Sequence, residues 1–197
     1  MQQPPSLAPP GAGIPEYQRL TGKYILLPFY CLRLTWEGAI DLLESEGYAL
    51  LALAGSSGED QLTRRVLVPP QIGLEDSSRF WSYAMVLEHL VIMGKAVADI
   101  IVELTHGNSR STPVGTADLK PEGKQPARDA IADFRQLLSD FRQRTIGDVG
   151  DRRNTARSPH PWFGSLRAKQ WISFVPFHQR IHIRQARRIL SRLPGAS

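Results

Sequence analysis

Apolar residues return every three or four positions in four separate stretches of the chain, and strand-like alternation is nearly absent. That spacing puts side chains on one stripe of a 3.6-residue helix. The first stretch runs from about Glu16 to Glu46, with Tyr17, Leu20, Tyr24, Leu27, Cys31 and Leu34 on its stripe. Pro28 inside it lacks a backbone donor and crowds the preceding turn, so a kink is expected there. Gly47 is the expected C-terminal stop. Between Tyr48 and Gln71 the periodicity fades, and the sequence supports no more than a short helix or turn.

The second helix is the clearest. Asp76, Ser77 or Ser78 is its expected cap, and Trp81, Met85, His89, Ile92, Ala96, Ile100 and Leu104 form its buried stripe. His106-Gly107-Asn108 closes it. Pro126 opens a third helix, which carries Ala127, Ala130, Ile131, Phe134, Leu137, Leu138 and Phe141 and ends before Gly147. The fourth is expected from a cap at Ser165 to about Leu193, before Pro194-Gly195. Its stripe is Trp171, Phe174, Val175, His178, His182, Gln185 and Ile189, with Pro176 expected to bend it.

Four amphipathic helices bury their stripes most simply around one core. The expected fold is therefore all-α, an up-down four-helix bundle with long loops. One domain spans residues 16–197, behind a disordered Pro-rich tail at 1–15, MQQPPSLAPPGAGIP. The stretch 107–125 is longer than compact domains usually allow, which suits a lid or a mobile connector.

Composition narrows the class. The chain has 197 residues, 42% of them hydrophobic, enough for one ordinary core. No run approaches the roughly 18 apolar residues of a membrane span. The N-terminus has neither the basic nor the apolar region of a secretory signal, so the cytoplasm is the default location. The single cysteine, Cys31, has no internal disulfide partner and reads as a core residue. Twenty-four basic residues against 19 acidic ones leave a net charge of +5, with Arg152, Arg153, Arg157, Arg180, Arg184, Arg187, Arg188 and Arg192 all late in the chain. Without interleaved aromatic residues or a nucleic-acid motif, this excess reads as solvated helix surface.

The chemistry lies in the histidines. His178 and His182 are four apart, so on a helix their Cβ atoms stack roughly 6 Å apart. Two imidazoles at that separation can meet one cation at about 2.0–2.1 Å each. His89 lies on the inward stripe of another helix and could complete the trio, leaving a coordination position open. Neutral imidazole suits zinc, nickel, iron and copper. A lone histidine on such a stripe is more often a hydrogen-bonded core residue, but three would bury several polar atoms together. HQRIH has the spacing of a metalloprotease helix, yet Gln179 stands where the general-base glutamate belongs, which removes that reading. His160 could sit near the bundle mouth, Glu88 could support His89, and Arg184 could meet a substrate carboxylate.

The segments RFWSYAMVLEHLVIMG and HPWFGSLRAKQWISFVPFHQRIHIRQARRI resemble the DinB-like family of metal-dependent four-helix-bundle proteins, over roughly Ser77 to Ile189. The resemblance implies a divalent metal, zinc or nickel, on His89, His178 and His182. It also implies a metal-dependent thiol transferase or hydrolase acting on a small molecule or thiol. The catalytic residues stay unknown. The alternative is a bundle that binds metal or a small ligand without chemistry; a nucleic-acid role ranks below both. An exposed apolar face would support a homodimer.

Overall fold

The computed structural model describes residues 5–55 and 57–193. Its helices are α1 (Glu16–Thr21), α2 (Leu27–Arg33), α3 (Trp36–Ala52), α4 (Glu59–Thr63), α5 (Tyr83–Thr105), α6 (Ala127–Gly147) and α7 (Ala168–Leu190). Two small antiparallel ribbons join them, β1 (Val66–Leu67) with β2 (Phe80–Trp81) and β3 (Ser158–His160) with β4 (Gly164–Leu166). Four long helices, α3, α5, α6 and α7, make the expected all-α bundle. In it α5 packs on α6 and α7, and α3 packs on the same two. Helices consecutive in the chain, α3 with α5 and α6 with α7, thus lie across diagonals. Long connections are what such a path requires.

The expected first helix is two units. Leu34 is extended and Thr35 starts α3, its Oγ1 accepting the Gly38 amide at 2.9 Å. Upstream, a π-helical turn at Gly22–Leu26 joins α1 to α2, widening the backbone just before Pro28, which has no N–H to give. The expected stripe is not a core stripe: Leu27 is buried, but Tyr17, Leu20 and Tyr24 are exposed. Nor does Gly47 stop α3. The helix runs through it to Ala52, and a Cβ at Gly47 would lie 2.7 Å from the Leu138 methyls of α6. Glycine is used here for close helix approach.

Other boundaries moved for local reasons. Asp76–Ser78 forms a 3₁₀ turn, Trp81 lies in β2, and Ser82 is the true cap of α5, accepting the Met85 amide at 3.1 Å. Ser165 belongs to β4, and Arg167 precedes α7. Helix α5 closes as expected, with Gly107 at φ +89° beyond it. Pro194-Gly195, the expected stop of the last helix, lies outside the described residues. Within Pro5–Pro15, read as a disordered tail, there is no helix or strand, yet the backbone is held. The Gly11 and Gly13 amides both reach Glu75 Oε1, at 2.9 and 3.0 Å, and the Ala8 amide reaches Asp76 Oδ2 at 2.8 Å. Among the described residues, no helix is long and apolar enough to cross a membrane.

Candidate metal centre

Helices α5 and α7 bring His89, His178 and His182 together. One ligand atom from each lies within 4.8 Å of the others, close to the span of two metal–imidazole bonds of about 2.1 Å. The ring centroids stand 4.5 Å apart for His89 and His182, 4.6 Å for His178 and His182, and 5.4 Å for His89 and His178. His89 and His182 are buried, and His178 is half-buried.

Partners outside the cluster orient two of the rings. His89 Nδ1 lies 2.7 Å from the Leu119 carbonyl, which can only accept, so that nitrogen carries the proton. His182 Nδ1 lies 2.8 Å from Gln185 Oε1, and the Gln185 amide donates in turn to the Ser78 carbonyl at 2.7 Å. Both rings therefore keep an Nε2 lone pair. His178 Nδ1 is buried without any hydrogen-bond partner. Two oriented lone pairs beside one orphaned imidazole nitrogen form a donor set that fits a divalent transition metal.

The electrostatics agree. Burial lowers the His89 pKa to about 4, the Leu119 carbonyl opposing it and Lys120 adding to it. Burial also holds His178 and His182 well below the usual histidine range, helped by the neighbouring imidazoles. Neutral imidazole, the ligating form, is the resting state.

A cavity of about 780 Å³, counting solvent at its mouth, opens onto the trio. Trp81 forms one side of the centre, stacked on His182 at 5.9 Å and 8°. The 107–125 loop covers the site: Val114, Thr116, Leu119 and Lys120 all line the cavity. Glu88 is not a partner of His89 but the clamp on that loop, its two oxygens accepting the Glu122 and Gly123 amides at 2.9 and 3.0 Å. His160 does reach the cavity wall, stacked on Phe163 at 4.6 Å, and burial drops its pKa to about 3. Arg184 is exposed on α7 and absent from the cavity lining. Gln179 is buried, donating to the Leu43 carbonyl at 2.8 Å, a structural role. Cys31 is half-buried, its thiol pKa raised by burial.

Sequence reasoning missed Glu75 and Lys120, both on the cavity wall. They form a half-sheltered ion pair at 2.8 Å, and Lys120 also donates to Ser77 and Ser78 Oγ. Burial raises the Glu75 pKa, but Lys120, the Gly13 amide and Ser77 outweigh it and leave the carboxyl below its usual range. Neither residue lies on a helical stripe, so no periodic signal marked them.

A four-helix bundle with an inward His₃ cluster at one seam defines the class. The sequence profile of the DinB superfamily matches residues 42–186, and the chain belongs to that superfamily. In fold it is similar to the crystal structure of TT2238, a four-helix bundle protein, with a TM-score of 0.53 and 23% identity over 78% of this chain and 98% of that one. Among curated proteins, none matches the chain.

Proposed function

We propose that the protein is a metal-dependent enzyme of the DinB-like type, a thiol transferase or hydrolase acting on a small molecule. His89, His178 and His182 hold its divalent metal, zinc or nickel. The observation that carries this reading is the orphaned His178 Nδ1, buried beside two imidazoles whose protons are already directed away. A buried polar atom without a partner costs about 1–3 kcal/mol, which ligation would offset. A cation there would supply Lewis acidity, lowering the pKa of a water or thiol that reaches it. The chain's own residues keep the ligands neutral, fix the tautomers of His89 and His182 and enclose the approach.

One observation favours a second reading, a non-catalytic metal-binding or ligand-binding bundle. Glu75, the carboxylate on the cavity wall, already accepts from two amides, Ser77 and Lys120, and is not free to act as a base. Elemental analysis of the purified protein tests the metal site. About one metal per chain is expected in the wild type and almost none in His89→Ala or His178→Ala; metal-free wild type after incubation with zinc and nickel would sink the enzyme reading and leave only the ligand-binding form of the second. A screen of thiol transfer and hydrolysis on the loaded protein then separates them.

The apolar stripe left outside the bundle supports a homodimer. Tyr17, Tyr24, Ile25, Phe29 and Leu32 are each more than half exposed along α1, the π-helical turn and α2, and grouped exposed apolar side chains of this kind mark interaction surfaces. Sedimentation should give a dimer that Leu32→Glu converts to monomer; a monomeric wild type would refute it.

A further inference from the structure

We infer that the cavity beside the histidines takes a small molecule with a largely apolar body and one anionic group, the latter directed to the metal. This rests on the metal reading above and adds the ligand's chemical class. The cavity is open to solvent and borders all three imidazoles, so a small molecule seated in it would lie against them. Most of the wall surface is apolar, and Met93, Val97 and Ile100 of α5, Val114 of the covering loop, Trp162 and Phe174 contribute to it.

The charged residues on the wall are Glu75 and Lys120, and they satisfy each other. The three hydrogens of the Lys120 ammonium go to Glu75 Oε2, Ser77 Oγ and Ser78 Oγ, at 2.8, 2.7 and 2.7 Å. Glu75 Oε1 takes the Gly11 and Gly13 amides. Lys120 therefore has no hydrogen left for a phosphate, and Glu75 would repel one. A polyol would find few partners on this wall, and its desolvation would go uncompensated. The polar groups that remain available include two ring N–H groups of wall residues, that of Trp171, buried without a partner, and that of His160. His160 Nδ1 accepts the Trp162 amide at 3.1 Å, so the proton sits on Nε2, which makes no protein hydrogen bond among the described residues. It can donate to one carbonyl or ether oxygen of the ligand.

The test uses three probes that share a metal-chelating hydroxamate and differ in the body: acetohydroxamate, benzohydroxamate and phosphonoacetohydroxamate. Each is titrated into the zinc-loaded full-length chain by calorimetry, with zinc content measured on the same sample. Benzohydroxamate should bind at least about tenfold more tightly than acetohydroxamate, from burial of its ring. Phosphonoacetohydroxamate should bind most weakly. Val114→Asp, on the loop, should erase the benzohydroxamate advantage while leaving acetohydroxamate unchanged. His160→Phe keeps the aromatic packing and removes the donor. It should lower the gain that a meta- or para-acetyl group brings to benzohydroxamate. Zinc at one per chain with the phosphonate binding tightest, or with no preference for the phenyl body, overturns this inference and spares the metal reading. Protein that loads neither zinc nor, in a parallel sample, nickel sinks both.

Discussion

Two seams of the same bundle are built on opposite principles. Where α6 meets α3 and α5, small residues face large ones. Gly47 admits Leu138 and Gly94 admits Leu137, each so closely that a Cβ would stand 2.7 Å from a leucine methyl. Phe134, Leu138 and Phe141 are fully buried there. Where α5 meets α7, three imidazoles and a cavity occupy the corresponding space. The first seam is interdigitated and dry. The second keeps polar atoms at low dielectric, one of them without a partner, and leaves room for a guest. Packing stability and a binding site are thus assigned to different helix pairs, and α5 belongs to both.

That contrast can be broken at either seam. The largest effect is expected from Leu138→Ala, which should destabilise the protein by about 2–5 kcal/mol in denaturant titration. A loss below about 1 kcal/mol would mean that the α3–α6 seam closes over the gap and is not tightly packed. Next comes acid. His89 and His160 have folded pKa values depressed to about 4 and 3 by burial, against about 6.5 when unfolded. The unfolded chain therefore binds protons first. Stability contributed by these groups is full above about pH 6.5 and falls as the pH drops toward 4 and below. Thermal melts of metal-free protein between pH 7 and 5 should show that decline, and His160→Phe should flatten it. Glu75, whose folded pKa is also lowered, contributes only further down, as the pH falls through the carboxylate range. The smallest effect has the opposite sign. His178→Leu removes the orphaned nitrogen and should stabilise the metal-free protein by about 1 kcal/mol while abolishing metal binding. A destabilised variant would show that the imidazole packs as an ordinary core group.

The long helices were legible because their signal is periodic. Met85, Ile100, Leu104, Phe134, Leu137 and Phe141 repeat at helical spacing and all lie in the core. The histidine trio was legible for the same reason: His178 and His182 share a stripe, and His89 holds an inward position on its own helix. The first helix misled because an apolar stripe records only that one face is apolar. It does not record whether that face meets the core, and the outer side of α1 and α2 does not. Ser82 displaced the expected caps of α5 because three serines and an aspartate precede that helix, and the β1–β2 ribbon claims Trp81 before the helix can begin.

Legible in the residues alone, then, were the three later long helices and the three imidazoles that face inward, since both follow from the 3.6-residue period within single segments. The packing of distant segments set which helices share a seam, and that Glu75 and Lys120 meet across 45 residues. It also decided that Gly47 is a contact point and that a loop and the Pro-rich segment reach the site. Those outcomes depend on pairings between distant segments, where glycine, lysine and glutamate act through the neighbour they meet. No local period encodes that neighbour.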